Sequence, residues 1–198
     1  MVEQESWLDE LRALDGAAYA AVARTPTPRL DTVLRPLTSA ADHSKIWVAT
    51  AAASSLLGGE GGRRGAADGL AAVGLASATV NLVFKHLSRR PRPDRGVVGV
   101  PQERRVEMPL STSFPSGHSA SAFAFAGGMA HAAPALGLPL HLAAVLVAYT
   151  RVHSGVHYPG DVVAGSIIGI ACGLVAPRAV DLVEQLAARA RTTSASRG

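Results

Sequence analysis

Residues Met108–Thr150 read MPLSTSFPSGHSASAFAFAGGMAHAAPALGLPLHLAAVLVAYT: 43 positions without Asp, Glu, Lys or Arg, broken near the middle by Pro134, Gly137 and Pro139. A helix that crosses the hydrocarbon core of a bilayer needs ~20 mostly apolar residues, so this window is long enough for a helical hairpin. A soluble hairpin would show a polar stripe every third or fourth residue. This one offers only Ser, Gly and His, beside Phe123, Phe125 and a Leu/Val-rich return. Three shorter uncharged windows, Ile46–Gly59, Gly69–Phe84 and Val162–Pro177, can be extended by flanking Ala, Ser and Gly. The pattern predicts an all-α integral membrane bundle of about five transmembrane helices, near 41–58, 66–85, 117–133, 138–152 and 161–177.

Composition agrees. The chain has 198 residues, 48% apolar and only 17% charged, which excludes a disordered protein. Alanine fills 37 positions, and small side chains favour helices and their close approach. The single cysteine, Cys172, excludes an internal disulfide framework. The net charge of +4 is almost all arginine, since Lys45 and Lys85 are the only lysines. Such a balance suits nucleic acid, an anionic membrane surface or a phosphorylated substrate. Aromatic residues at 5% argue against single-strand stacking, so no nucleic-acid partner is expected.

Before the windows, Trp7, Leu8, Leu11, Leu14, Ala18 and Val22 recur at helical spacing among acidic residues. This predicts an amphipathic N-terminal helix, on the membrane surface or packed on the bundle, and not a secretory signal. A proline-rich break at Arg24–Arg29 precedes a short helix to Ser39. The expected organisation is therefore an amphipathic segment over 1–40, a membrane domain over 41–188 and a disordered tail over 189–198.

Lys85–Glu107 is a charged island punctuated by proline and glycine, a long loop between two membrane helices. Three patches of reactive residues border the apolar helices: Lys85–Pro93, Phe114–Ser119 and Thr150–Asp161. Helix parity puts all three on one side of the membrane. Lys85, Arg92 and Arg151 are cations without sequence-local partners, suited to a phosphate dianion. Pro115-Ser116-Gly117 stands where a helix begins, so backbone N–H groups can bind phosphate oxygens. His118 and His157 can divide nucleophile and general-acid work. Asp161, four residues after His157, can fix an imidazole tautomer. The parts suit phosphoryl transfer without a metal or other cofactor.

The set K-x6-RP (Lys85 to Pro93), PSGH (Pro115 to His118) and TR-x5-H-x3-D (Thr150 to Asp161) resembles the tripartite signature of the phosphatidic acid phosphatase type 2 superfamily. The order and intervals fit, with Thr150 where that pattern more often has Ser. The resemblance implies that His157 attacks phosphorus to give a phosphohistidine, that Asp161 orients it, and that His118 protonates the leaving alkoxide. Lys85, Arg92, Arg151, Ser116 and the Gly117 amide would bind the phosphate, with no metal and no cofactor. It implies a multi-pass cell-membrane enzyme acting on a lipid phosphomonoester or pyrophosphate. Alanine and arginine bias points to a high-GC bacterium that loads cell-wall sugars on polyprenyl phosphates, so that substrate class leads phosphatidic acid. The competing readings are a vanadate-dependent haloperoxidase, a soluble periplasmic acid phosphatase, and a non-catalytic lipid-binding relative. Size and the uncharged windows argue against the first two, and the complete reactive set argues against the third.

Overall fold

The computed structural model describes residues 2–195. The last three positions of the expected tail, 196–198, lie outside the described residues. In chain order the helices are α1 (Val2–Arg24), α2 (Pro28–Ala40), α3 (Lys45–Leu57), α4 (Gly59–Ala78), α5 (Lys85–Leu87), α6 (Arg95–Val98), α7 (Gly117–Ala132), α8 (Gly137–His153) and α9 (Pro159–Ala195). No strand occurs among the described residues. A π-helical turn, Thr79–Phe84, joins α4 to α5 without a break. α9 runs on to Ala195, into the segment expected to be a tail.

A helix stands in each of the five ranges predicted from the apolar windows. Three stretches, Gly59–Leu87, Pro134–His153 and Pro159–Leu186, are long and apolar enough to cross a membrane, and the chain is a membrane protein. The other two, α3 and α7, have 13 and 16 residues, short of the ~20 that a perpendicular crossing needs.

α7 is the hub. Its Ala120, Ala122, Ala124, Phe125, Ala126 and Met129 are fully buried, and it packs on α4, α8 and α9. Small residues set how closely it can be approached. A β-carbon at Gly165 or Gly169 of α9 would collide with the carbonyl oxygens of Ser116 or Ala120. Toward α4, a β-carbon at Gly128 would lie 2.6 Å from the Asp68 carbonyl oxygen. In lipid there is little hydrophobic drive between helices, so such backbone-to-backbone packing carries the association. Farther along, Arg64 pairs with Asp68 one turn on in α4 (3.0 Å) and bridges to α9 through Asp181 (2.5 Å) and Glu184 (2.6 Å). His131 of α7 faces the buried Asp68 at 3.0 Å.

The N-terminal helices lie against the bundle, α1 by a stripe other than its leucines. Trp7, Leu8, Leu11 and Leu14 stay exposed, while Tyr19 and Ala23 are buried and Asp15 is half-buried. The buried stripe thus runs Asp15–Tyr19–Ala23, at i, i+4 and i+8. Tyr19 meets Tyr158 edge-on at 5.5 Å. Arg104 from the island locks the α1–α2 corner. It donates to the carbonyls of Val22 and Ala23 (both 3.3 Å) and of Thr25 (2.7 Å), and pairs with Asp31 at 2.9 Å. His153, at the end of α8, reaches the same corner through Thr27 Oγ1 (3.1 Å) and Asp31 (3.0 Å).

Candidate active site

The three sequence patches meet at one end of the bundle. The Ser116 amide, at the head of α7, donates to the Asp161 carbonyl at 2.9 Å, joining the second patch to the third. Arg92 Nη1 donates to the Val156 carbonyl at 2.8 Å, and its Nε to the Ser111 carbonyl at 2.9 Å, joining the first. Lys85 Nζ donates to Ser111 Oγ at 3.1 Å. Arg151, 1% exposed, is held by Thr38 Oγ1 of α2 at 2.5 Å, and its buried Nε has no partner. Thr150 spends its hydroxyl on the Val147 carbonyl one turn back, at 2.7 Å.

His157 sits between a cation and an anion. Arg92 Nη1 lies 3.2 Å from its Nε2, and Asp161 Oδ2 lies 3.5 Å from its Nδ1. A guanidinium can only donate, so Nε2 is the acceptor and the proton of the neutral ring is on Nδ1, facing the carboxylate. The Nδ1 contact is an ion-pair distance and not a closed hydrogen bond, for Nδ1 has no partner within bonding reach. Burial drives the pKa of His157 down from 6.5 to about 4, opposed by Asp161 and helped by the charges of Arg92 and Arg151. At neutral pH the ring is uncharged, with its Nε2 lone pair turned toward the arginine.

Asp161 is fully buried and heavily committed. It accepts from Ser113 Oγ, from the Tyr158 amide at 2.9 Å and from Arg90 Nη1 at 2.9 Å. Arg90 Nη2 continues to Asp15 of α1 at 2.5 Å, and Asp15 also takes the Gly160 amide at 2.7 Å, at the head of α9. Arg90 stacks on the Tyr158 ring at 4.2 Å. Sequence pattern alone does not mark Arg90, Asp15 or Ser113 as site residues. Asp15 left one signal there: it lies four residues after Leu11 and four before Tyr19, a carboxylate on an apolar stripe.

His118 stands in the first turn of α7. Its Nε2 is 2.8 Å from Asp42 Oδ1, in the turn before α3. Ser116 is fully buried, and its Oγ accepts from the amide and hydroxyl of Ser119 at 3.4 and 3.0 Å, capping the helix. Its own hydroxyl proton remains free to donate. Gly117 opens the helix, and a β-carbon there would meet only Val80, at 3.8 Å. Beside the site a cleft of about 1160 Å³ runs between α1 and Ser88–Pro91, with Leu8, Leu11, Phe114 and Tyr158 as apolar wall and Arg12 and Arg89 at its edge. Among the described residues no group of three His, Cys, Asp or Glu side chains is arranged to hold a metal ion.

The profile of the PAP2 superfamily matches residues 66–184. The chain belongs to the PAP2 superfamily. Among curated PAP2 relatives, the decaprenylphosphoryl-5-phosphoribose phosphatase of Mycolicibacterium smegmatis is 37% identical over 153 residues, 75% of this chain and 77% of that protein. The protein of that name from Mycobacterium tuberculosis (strain H37Rv) is 38% identical over 97 residues, 48% of this chain and 51% of its own length. The chain thus spans about half the length of the tuberculosis relative it matches. A solved PAP2 structure, the transmembrane phosphatidylglycerolphosphate phosphatase of Bacillus subtilis, shares the fold with a TM-score of 0.65 at 24% identity, covering 87% of this chain and 86% of that one. The PAP2 match begins at 66, so Asp15, Thr38 and Asp42 all come from outside it.

Proposed function

We propose that this chain is a multi-pass cell-membrane phosphatase that removes a terminal phosphate from a polyprenyl-linked lipid, through a phosphohistidine and without a cofactor. The observation that carries the reading is the placement of His157. Its unprotonated Nε2 faces Arg92, where a bound phosphate would sit, while its Nδ1–H faces a buried carboxylate.

The residues divide the work by what each can donate or accept. Lys85, Arg92 and Arg151 hold the phosphoryl oxygens, and the open amides at the head of α7 add dipole to the clamp. The His157 Nε2 lone pair forms the N–P bond as the P–O bond to the lipid breaks. The leaving oxygen takes a proton from protonated His118. Asp161 holds Nδ1–H and offsets the positive charge that grows on the ring. Water then attacks phosphorus, His118 accepts its proton, and the N–P bond breaks to release inorganic phosphate and restore neutral His157.

The membrane reading extends the three long spans with α3 and α7 as two short crossings, seated by the Gly-lined contacts of α7. The substrate class rests on the mycobacterial relatives, whose names specify a phosphate on a decaprenyl-linked ribose, and on the cleft whose apolar wall adjoins Arg90. The test is phosphate release by the detergent-purified protein. It compares a decaprenylphosphoryl-phosphoribose, undecaprenyl pyrophosphate and phosphatidic acid, each with and without EDTA. The expected result is preference for a polyprenyl substrate, full activity in EDTA, and inhibition by vanadate, which imitates the phosphoryl transition state. Loss in EDTA with recovery in Mg²⁺, or preference for phosphatidic acid, would overturn the corresponding part.

A further inference from the structure

His118 has a carboxylate partner that its sequence neighbourhood does not supply. Asp42 Oδ1 lies 2.8 Å from His118 Nε2, across 76 positions of sequence. A carboxylate at neutral pH only accepts, so Nε2 carries the proton of this bond. The same oxygen is 3.9 Å from Nη1 of the buried Arg151. Asp42 is set in place by an unusual turn. It opens a 3-10 turn, Asp42–Ser44, in which His43 and Ser44 both take left-handed backbone angles, with φ of 54° and 59°. Left-handed non-glycine residues are uncommon, and two in succession mark a backbone held by its surroundings. Buried neighbours on either side, Thr38 and Ala41 before it and Trp47 after it, fix that turn against the bundle.

Resting on the phosphatase reading above, we infer that Asp42 is a positioning residue for the leaving-group acid. It holds His118 in the Nε2–H tautomer, so that Nδ1 is the nitrogen that carries the transferred proton, and its charge stabilises the imidazolium. In the first half-reaction the Nδ1 proton passes to the oxygen released from phosphorus. In the second, Nδ1 takes a proton from the attacking water, and the Nε2–H···Oδ1 bond persists through both. His118 and Asp42 would then stand to the leaving group as His157 and Asp161 stand to phosphorus: two histidine–carboxylate pairs, one for each side of the transferred phosphoryl group.

The experiment pairs turnover with a readout that needs no turnover. In ¹⁵N-histidine NMR of the detergent-solubilised full chain, wild-type His118 should show the Nε2–H tautomer, and Asp42→Asn should shift it toward a mixture. In the assays, Asp42→Asn should lose about ten- to a hundred-fold on a lipid phosphate, a part of the ~10²–10⁴-fold that general-acid help supplies. It should stay within about threefold of wild type on p-nitrophenyl phosphate, whose leaving group needs little acid. The double variant Asp42→Asn/His118→Ala should be no slower than His118→Ala alone, because the two residues act as one unit. An Nδ1–H tautomer in the wild type overturns the proposal, as does equal loss on both substrates, or additive loss in the double variant. So does full lipid turnover in Asp42→Asn with tighter vanadate binding, which would put the carboxylate in the anion site instead. His157→Ala separates this from the parent reading. If it remains active on both substrates the phosphohistidine assignment fails, whatever the tautomer of His118 shows.

Discussion

Replacing Asp161 by asparagine keeps the shape of the side chain and removes its charge, which isolates what the carboxylate does for His157. In the wild type, Oδ2 stands 3.5 Å from Nδ1, and the pair is shut off from water. As Nε2 bonds to phosphorus, the ring gains positive charge. Two unit charges at 3.5 Å interact by about 332/(20 × 3.5), or roughly 4–5 kcal/mol, at an effective dielectric of ~20. At ~1.36 kcal/mol per tenfold, loss of that interaction slows attack on the order of 10³-fold. The loss falls on the attack step, so it should be about the same for a lipid phosphate and for p-nitrophenyl phosphate. The fold should also suffer, because Arg90 and the Tyr158 amide lose an ionised acceptor. Asp15 still holds Arg90, so the cost should stay near ~1.5–3 kcal/mol, the range for a single charged hydrogen bond. The assay is single-turnover phosphate release on both substrates, with a thermal melt in the same detergent. An Asp161→Asn protein that melts within a few degrees of wild type and turns over within tenfold of it would refute the argument.

Three further outcomes follow from the same geometry. His118→Ala should lose far more on a lipid phosphate than on p-nitrophenyl phosphate, whereas His157→Ala should lose both, and the opposite pattern would exchange their roles. His157 should remain neutral in an NMR titration down to about pH 4, because burial depresses its folded-state pKa from 6.5. Between pH 6.5 and about 4 the unfolded chain then binds a proton that the folded chain does not, so His157 makes stability fall as the pH drops through that window; a midpoint near 6.5 would contradict the buried placement. Gly169→Leu should force α9 away from the Ala120 carbonyl and destabilise the protein by ~1–3 kcal/mol, as overpacking does, measured by melting in detergent; an unchanged melt would mean the α7–α9 contact is looser than described.

The residues that recur at fixed short spacing were legible in the sequence. His157 and Asp161 lie one helical turn apart, Lys85 and Arg151 stand at the ends of apolar windows, and Arg92 follows Lys85 by seven positions, so local pattern marked all five. The uncharged runs likewise announced helices. Their lengths did not announce which ones span, because alanine and glycine are weakly apolar and make a buried hub such as α7 read like a lipid-facing helix. What stayed hidden is the support around the reactive groups. Arg90 meets Asp161 across 71 positions, and Asp42 meets His118 across 76. Nothing local distinguishes Arg90 from Arg89 beside it, yet Arg90 is bound on two sides and Arg89 is exposed. The packing face of α1 stayed hidden for a related reason. Leucines at helical spacing mark a stripe, but the bundle takes the neighbouring stripe, where a carboxylate and a tyrosine find partners.

The wide turn between α4 and α5 gives this helix a reserve of length. From Gly69, packed against Phe125, to Lys85 is a step of 16 positions. At ~100° per residue an unbroken α-helix would carry Lys85 about 160° round from Gly69, onto the far side. One turn of i→i+5 bonding absorbs an extra residue, about 100° of rotation, and brings the lysine back to about 60°. A chain one residue shorter within Thr79–Phe84 could take up the loss by tightening that turn to ordinary α-helix, with Lys85 pointing as before, whereas a loss nearer Gly69 would turn the buried Ala72 and Ala76 by about 100°. Insertions enjoy no such slack, since the turn is already wide. Length variation in this turn should therefore be one-sided, with deletions tolerated where additions are not.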